Sequence, residues 1–228
     1  MLALVKDGVV HFIPLQAVHF KLIRTVQIIL IYPVHLKVIW AVHLNRCNQK
    51  MLCLDENGDE LEVFTMEYDN NGKIQASSAS FDRGDYAWTN QYVWENNGIN
   101  IDDEDFVLLK DGLVQSVEDV TFAYNSSNRI TKYGSMTIDW DSDKVKSISR
   151  YGTIAYGETC KKGYCPLIPY LIVEYTPLFL AHPELIGART KQLPTNVADI
   201  TISYEFDNEG YISKINLNTG RTMILTWK

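Results

Sequence analysis

The side chains in this chain that could do chemistry are few, and their spacings fit known chemistries poorly. Four cysteines form two close pairs, Cys47 with Cys53 and Cys160 with Cys165. Structural zinc prefers tighter spacings such as Cys-x2-Cys, whereas five and four residues intervene here. "CKKGYC", Cys160 to Cys165, reads as a hairpin loop whose flanking residues face each other. A cross-strand disulfide in an oxidising compartment, two free thiols and a metal pair are the open readings. His35 and His43 lie eight apart, on one face of an extended chain, and a metal pair or two unrelated strand histidines would both fit. "HPEL" at His182 lacks the second histidine of a zinc-protease helix.

The carboxylates tell a similar story. In "DWDSDK", Asp139, Asp141 and Asp143 alternate as in a calcium loop, but Lys144 stands at the sixth position and Arg150 at the twelfth. "DENGDE" (Asp55–Glu60) and "DDED" (Asp102–Asp105) fail in the same way, and solvated turns account for all three. Glycoside chemistry needs two carboxylates at a set distance, which spacing along a chain does not supply. No serine elbow, phosphate-cradling loop or dinucleotide fingerprint is written. No residue is therefore assigned as catalytic, cofactor-binding or metal-ligating, and no cofactor is expected. The 13 Tyr and 5 Trp could stack on sugars or peptides, although strand aromatics are more often core.

These residues sit in a chain that writes one phrase repeatedly. "EYDNNGKI" (Glu67–Ile74), "VWENNGINI", "AYNSSNRI", "DWDSDKVKSI" and "EFDNEGYI" each place an aromatic, a short Asn/Asp/Ser/Gly cluster and an isoleucine in order. Upstream, Phe64, Met66 and Tyr68 alternate with Thr65 and Glu67, the period of a half-buried strand. The cluster is a tight turn, with Asn and Asp bonding their own backbone and Gly supplying positive φ. A type I turn closed by a left-handed glycine is a common hairpin connection. Each phrase is thus a hairpin tip. The aromatic spacing is irregular, which excludes a strict solenoid or propeller.

The fold class read from this pattern is all-β: an antiparallel up-and-down meander forming a curved sheet, a barrel or a half-barrel. One stretch breaks the alternation. Thr176 to Asn196 is rich in leucine and holds Gly187, which predicts one short helical excursion near 177–188 covering an end of the sheet.

Residues 1–50 differ from the rest. They hold six of the 21 basic residues and, of the 28 acidic ones, only Asp7. From Phe20 to Leu44 every even position except Arg24 is apolar. That period of two predicts strands over 18–32 and 34–45, divided by Pro33. The domain reading is an atypical basic, strand-rich segment at 1–50, either part of the sheet or a misassigned start, followed by a β-meander domain at 51–228. The longest uncharged apolar run, Thr25 to Leu36, is shorter than the roughly 20 residues of a spanning helix. It also lies late for a signal-peptide core. "LNRC", ending at Cys47, has Arg46 where a lipoprotein signal needs a small residue. The formal charge of −7 argues against a general affinity for nucleic acid.

The "YDNNG..I" and "FDNEGYI" hairpins, the "ELIGARTKQLPTNV" passage and the final strand ending in "TW" resemble a bacterial family of domains of unknown function described as having a porin-like fold. Its members are found mostly in Bacteroidetes-type anaerobes as secreted or lipid-anchored proteins. The hairpins are also similar in style to YD repeats. The resemblance covers residues 60–228. It implies a strongly curved antiparallel sheet and an extracytoplasmic place in the periplasm or at the cell surface, and it carries over no catalytic residue. Here 21% of residues are charged and several strands are short, unlike the roughly ten-residue, lipid-facing strands of an outer-membrane barrel. The functional reading is a non-enzymatic binding or structural role at the bacterial envelope, with a glycan or peptide as partner. A glycan-acting hydrolase and an outer-membrane β-barrel are the alternatives.

Overall fold

A computed structural model describes residues 2–6, 9–13, 48–81, 84–173 and 177–227. The chain divides into two compact units, Met1–His43 and Leu44–Lys228. In the first, β1 (Leu2–Lys6) pairs antiparallel with β2 (Val9–Ile13), Lys6 opposite Val9. The strands expected over 18–32 and 34–45 lie outside the described residues, as do His35, His43 and Cys47.

The second unit is a closed barrel. Among its described residues sixteen strands run in order: β3 (Asn48–Leu54), β4 (Glu60–Tyr68), β5 (Ile74–Phe81), β6 (Tyr86–Trp94), β7 (Gly98–Ile101), β8 (Asp105–Lys110), β9 (Leu113–Val117), β10 (Val120–Tyr124), β11 (Ile130–Tyr133), β12 (Met136–Asp141), β13 (Lys144–Ile148), β14 (Gly152–Thr159), β15 (Gln192–Val197), β16 (Ile200–Phe206), β17 (Ile212–Leu217) and β18 (Thr222–Trp227). Each pairs antiparallel with its chain neighbours, and β18 closes on β3 with Ile224 opposite Leu52. The expected meander is therefore a full barrel, which leaves no sheet edge open to pairing.

The hairpin phrases have a common local cause. In the β4–β5 turn, Asp69 Oδ1 accepts from the backbone N–H of Asn71 at 2.8 Å and of Lys73 at 2.9 Å. Gly72 takes φ +77°, and its N–H donates to the Asp69 carbonyl at 3.1 Å. Asp55, Asn125 and Asp207 make the same pair of side-chain bonds in their turns. In the Asn125 turn, Asn128 adopts the left-handed backbone in place of glycine, at φ +58°. The extra turn residue shifts the register by one, setting Tyr68 opposite Ile74, Tyr124 opposite Ile130 and Phe206 opposite Ile212. That pairing is why the phrase ends in isoleucine. "DWDSDK" is a different turn: Asp141 faces Lys144 across two residues, with Ser142 at φ +57°.

On β12 and β16 the wall alternates apolar inside and polar outside, whereas on β6 and β8 Val93, Phe106 and Leu108 are exposed. On β16, Ile202 is buried and Tyr204 half-buried, while Thr201, Ser203 and Glu205 are exposed. On β12, Ile138 is buried while Thr137, Asp139 and Asp141 are exposed. A lipid-spanning barrel has the reverse arrangement, with the apolar side outward.

A barrel's diameter grows with strand number, and about eight strands are the most that wall side chains alone can fill. The excess space is taken by the described residues between β14 and β15, 160–173 and 177–191, which enter the lumen. This excursion holds α1 (Leu167–Val173), α2 (Pro177–Ala181) and a 3-10 turn (Pro183–Ile186). Its helical part is longer than the helix expected near 177–188, beginning ten residues earlier, at Leu167. "PLIPYLIV" conceals α1, because two prolines and branched residues look unhelical. Proline is nevertheless tolerated before and within a helix's first turn. Ile168, Ile172, Leu178 and Leu180 are fully buried, each worth roughly 1.5–3 kcal/mol of transfer free energy. They form one core with the inward residues Phe64, Ile138 and Ile215. Phe179 packs edge-on against Phe122 of β10, ring centroids 5.9 Å apart. Tyr170 ties the plug to the wall, its hydroxyl donating to Glu62 of β4 at 2.8 Å.

Candidate functional site

The rim where the plug enters collects the most specific side-chain chemistry. It carries the β4–β5, β6–β7, β10–β11, β12–β13 and β16–β17 turns. At each of five places an aromatic near this rim bonds the carbonyl of an aliphatic residue or proline on the preceding strand. The indole N–H groups of Trp94, Trp140 and Trp227 donate to Ile74, Ile130 and Ile212 at 2.8, 2.6 and 2.6 Å. The hydroxyls of Tyr124 and Tyr204 donate to Val114 and Pro194 at 2.6 and 2.7 Å. Burial pushes both phenols upward, so they remain donors at neutral pH. The bulged ends of the strands leave carbonyls without ladder partners, and these donors satisfy them.

His182 sits where the plug meets this rim. It opens the 3-10 turn after α2 and is buried. Its Nε2 accepts from the Ile74 N–H at 3.1 Å, and its Nδ1 lies 2.9 Å from Glu184 Oε1. Nε2 must then be unprotonated, which places the ring proton on Nδ1, where it donates to Glu184. Trp94 and Tyr68 meet the imidazole edge-on at centroid distances of 5.2 and 6.1 Å. Lys73 Nζ lies 4.7 Å above the Trp94 ring. Arg189 stands 3.7 Å from the second Glu184 oxygen. Burial works to raise the Glu184 carboxyl, but its hydrogen bond with His182, and their attraction once that ring is protonated, prevail with help from Arg189 and hold it below the usual carboxylate range.

Gly187 closes the turn. Its φ is +60°, and a Cβ there would lie 2.0 Å from the Asn128 carbonyl oxygen. Only glycine lets the plug approach the β10–β11 hairpin this closely. Arg129, leaving that hairpin, donates to the Arg189 carbonyl at 3.0 Å and stacks 5.1 Å over Trp140. Both ring nitrogens of His182 are engaged, so the cluster joins wall to plug and offers no free base or nucleophile.

The other residues weighed from the sequence lie apart from this joint. Cys53, Cys160 and Cys165 are buried free thiols. Burial raises all three, Cys165 to about 12, which makes them poor nucleophiles. The N–H groups of Cys160 and Cys165 donate to the Lys191 and Thr190 carbonyls, each at 2.8 Å. The pair thus flanks one extended segment. Asp139 accepts from Ser147 at 3.0 Å and Asp143 from Gln192 at 3.0 Å. Asp102 accepts from the Gln91 N–H at 2.7 Å. Hydrogen bonding and repulsion from Asp105 push the Glu118 carboxyl upward. Among the described residues, no three His, Cys, Asp or Glu side chains are grouped to hold a metal ion. At the opposite rim, Asp55, Glu56, Asn57, Leu61, Thr219 and Arg221 line an open groove of about 290 Å³.

Reading the sequence for chemistry passed over His182, because no second histidine accompanied it. It also missed the indole locks. Three of the five locks join residues ten apart, Val114 to Tyr124, Ile130 to Trp140 and Pro194 to Tyr204. That recurrence of aliphatic residue or proline and aromatic was the available signal.

No protein-family model and no curated protein matches the chain. Among solved structures, a porin-like protein from Bacteroides uniformis superimposes with a TM-score of 0.56 at 16% identity, over 81% of this chain and 97% of that one. A porin-like protein from Bacteroides vulgatus aligns over 79% of this chain and 98% of its own, at 14% identity with a TM-score of 0.26. The barrel described here has the porin-like fold of the Bacteroides uniformis protein.

Proposed function

We propose that the protein is a non-conducting β-barrel of the bacterial envelope, outside the cytoplasm, with a binding or structural role rather than an enzymatic one. One observation carries this reading: the lumen that would be a channel is packed with the apolar side chains of α1, α2 and the 3-10 turn. The polar outward faces of β12 and β16 suit water rather than acyl chains. The residues that converge at the plug joint are mutually satisfied, which favours a scaffold over a reaction centre. Its partner class is a glycan or peptide recognised by exposed turns and strand faces.

Planar-bilayer recording tests the non-conducting claim: the purified full chain should add no ion conductance, and discrete channel openings would refute it. A carbohydrate and peptide array with product analysis tests the binding role. Retained, uncleaved ligand supports it, and released sugars favour the hydrolase reading.

A further inference from the structure

We propose that His182 is a pH-sensitive latch that fastens the lumen plug to the β4–β5 hairpin only while its imidazole is neutral. Ile74 is fully buried, and its two backbone groups are both held by side chains. Its carbonyl takes the Trp94 indole N–H at 2.8 Å, and its N–H donates to His182 Nε2 at 3.1 Å. Trp94 belongs to the wall and His182 to the plug. The second bond is therefore a polar tie between the β4–β5 hairpin and the plug, beside the one that Arg129 of the β10–β11 hairpin makes to the Arg189 carbonyl.

Protonation breaks that tie. A proton on Nε2 turns the acceptor into a donor facing another donor, so the bond to Ile74 is lost and a buried N–H is orphaned. The Nδ1 contact to Glu184 survives and gains charge assistance. The ring therefore keeps its plug partner and releases its wall partner. The groups that face it divide in the same way. Glu184, with Arg189 behind it, lies on the plug side. Tyr68 of β4, Lys73 of the turn and Trp94 of β6 lie on the wall side. Lys73 and Arg189 oppose a further cation at the joint, whereas Glu184 favours it. Imidazole is the side chain whose charge ordinarily changes between pH 5 and 8, and that sets the range of the test.

Amide hydrogen exchange on the full chain, followed by NMR, tests this. The Ile74 protection factor should fall about tenfold or more from pH 8 to pH 5, while that of Ile212, which follows the Asp207 turn, stays constant. In His182→Gln, whose amide oxygen accepts without titrating, Ile74 should be equally protected at both pH values. Constant protection in the wild type overturns the proposal, as does an equal fall in the variant. Should the variant fail to fold, the 15N shifts of the wild-type imidazole decide the matter. An unprotonated Nε2 at pH 8 that gains its proton as Ile74 loses protection supports the latch. A protonated Nε2 at pH 8 overturns it.

Discussion

The indole N–H of Trp140 donates to the carbonyl of Ile130 at 2.6 Å, and the guanidinium of Arg129 lies over the same indole. One side chain therefore closes a bulged strand end and seats the arginine that holds the plug's exit segment. The equivalent locks at Trp94 and Trp227 place the same chemistry elsewhere on the rim. The rim is thus built from satisfied backbone carbonyls, and the plug is hung from it.

Trp140→Phe keeps most of the packing and deletes the donor. It should lower unfolding free energy by about 1–3 kcal/mol, the cost of a buried carbonyl left unpaired. Urea titration measures this, with an unchanged slope showing that the barrel stays intact. Trp140→Ala should cost more, because it also leaves a cavity.

Gly187→Ala meets two obstacles together, the left-handed backbone and the Asn128 carbonyl oxygen 2.0 Å from the new methyl. The expected loss exceeds about 3 kcal/mol or prevents folding. Gly112 also has positive φ, at +79°, but nothing lies within 4 Å of its added Cβ. Gly112→Ala should cost only about 1 kcal/mol. Similar midpoints for the two variants in thermal unfolding would contradict the close approach.

Glu184 is held below the usual carboxylate range in the folded protein. The unfolded chain then binds more protons than the native one as pH drops through that range, so stability falls with pH. The contribution is complete above about pH 5, given an ordinary Glu value near 4.3, and disappears below the folded value. The side chain is half-exposed, so solvent screening keeps the effect modest. Glu184→Gln should flatten this part of the stability profile between pH 5 and 3, as read by denaturant midpoints at each pH.

Cys53, Cys160 and Cys165 are buried with raised thiols. Peptide mapping after iodoacetamide at neutral pH should find all three alkylated at least about tenfold more slowly in native than in denatured protein. A peptide carrying Cys160 crosslinked to Cys165 in the native protein would contradict the free-thiol state.

Much of the wall could be read from the chain because its causes are local. Alternation around Phe64 and Met66 fixes which face is buried, and Asp69 with Gly72 fixes the turn. The bulge that sets Tyr68 opposite Ile74 follows from those same four-residue clusters. The plug was less legible. Ile168 and Ile172 are helical because they lie inside a wide barrel, and that width comes from sixteen strands closing on themselves, a property no single window contains. His182 illustrates the limit for the site. Its partner Ile74 lies 108 residues away, and a buried histidine that completes a backbone bond leaves no spacing motif.

Collision measurements on nitroxides read the orientation of the wall directly. Labels would be attached singly, through encoded keto side chains, at Thr201, Ile202 and Ser203 of β16 in the full chain mixed with phospholipid vesicles. The account predicts that a water-soluble nickel complex reaches positions 201 and 203 more readily than dissolved oxygen does, and that neither reaches 202. Oxygen-dominated collisions at 201 and 203, with the nickel complex reaching 202, would mean lipid outside and water inside, and would contradict it.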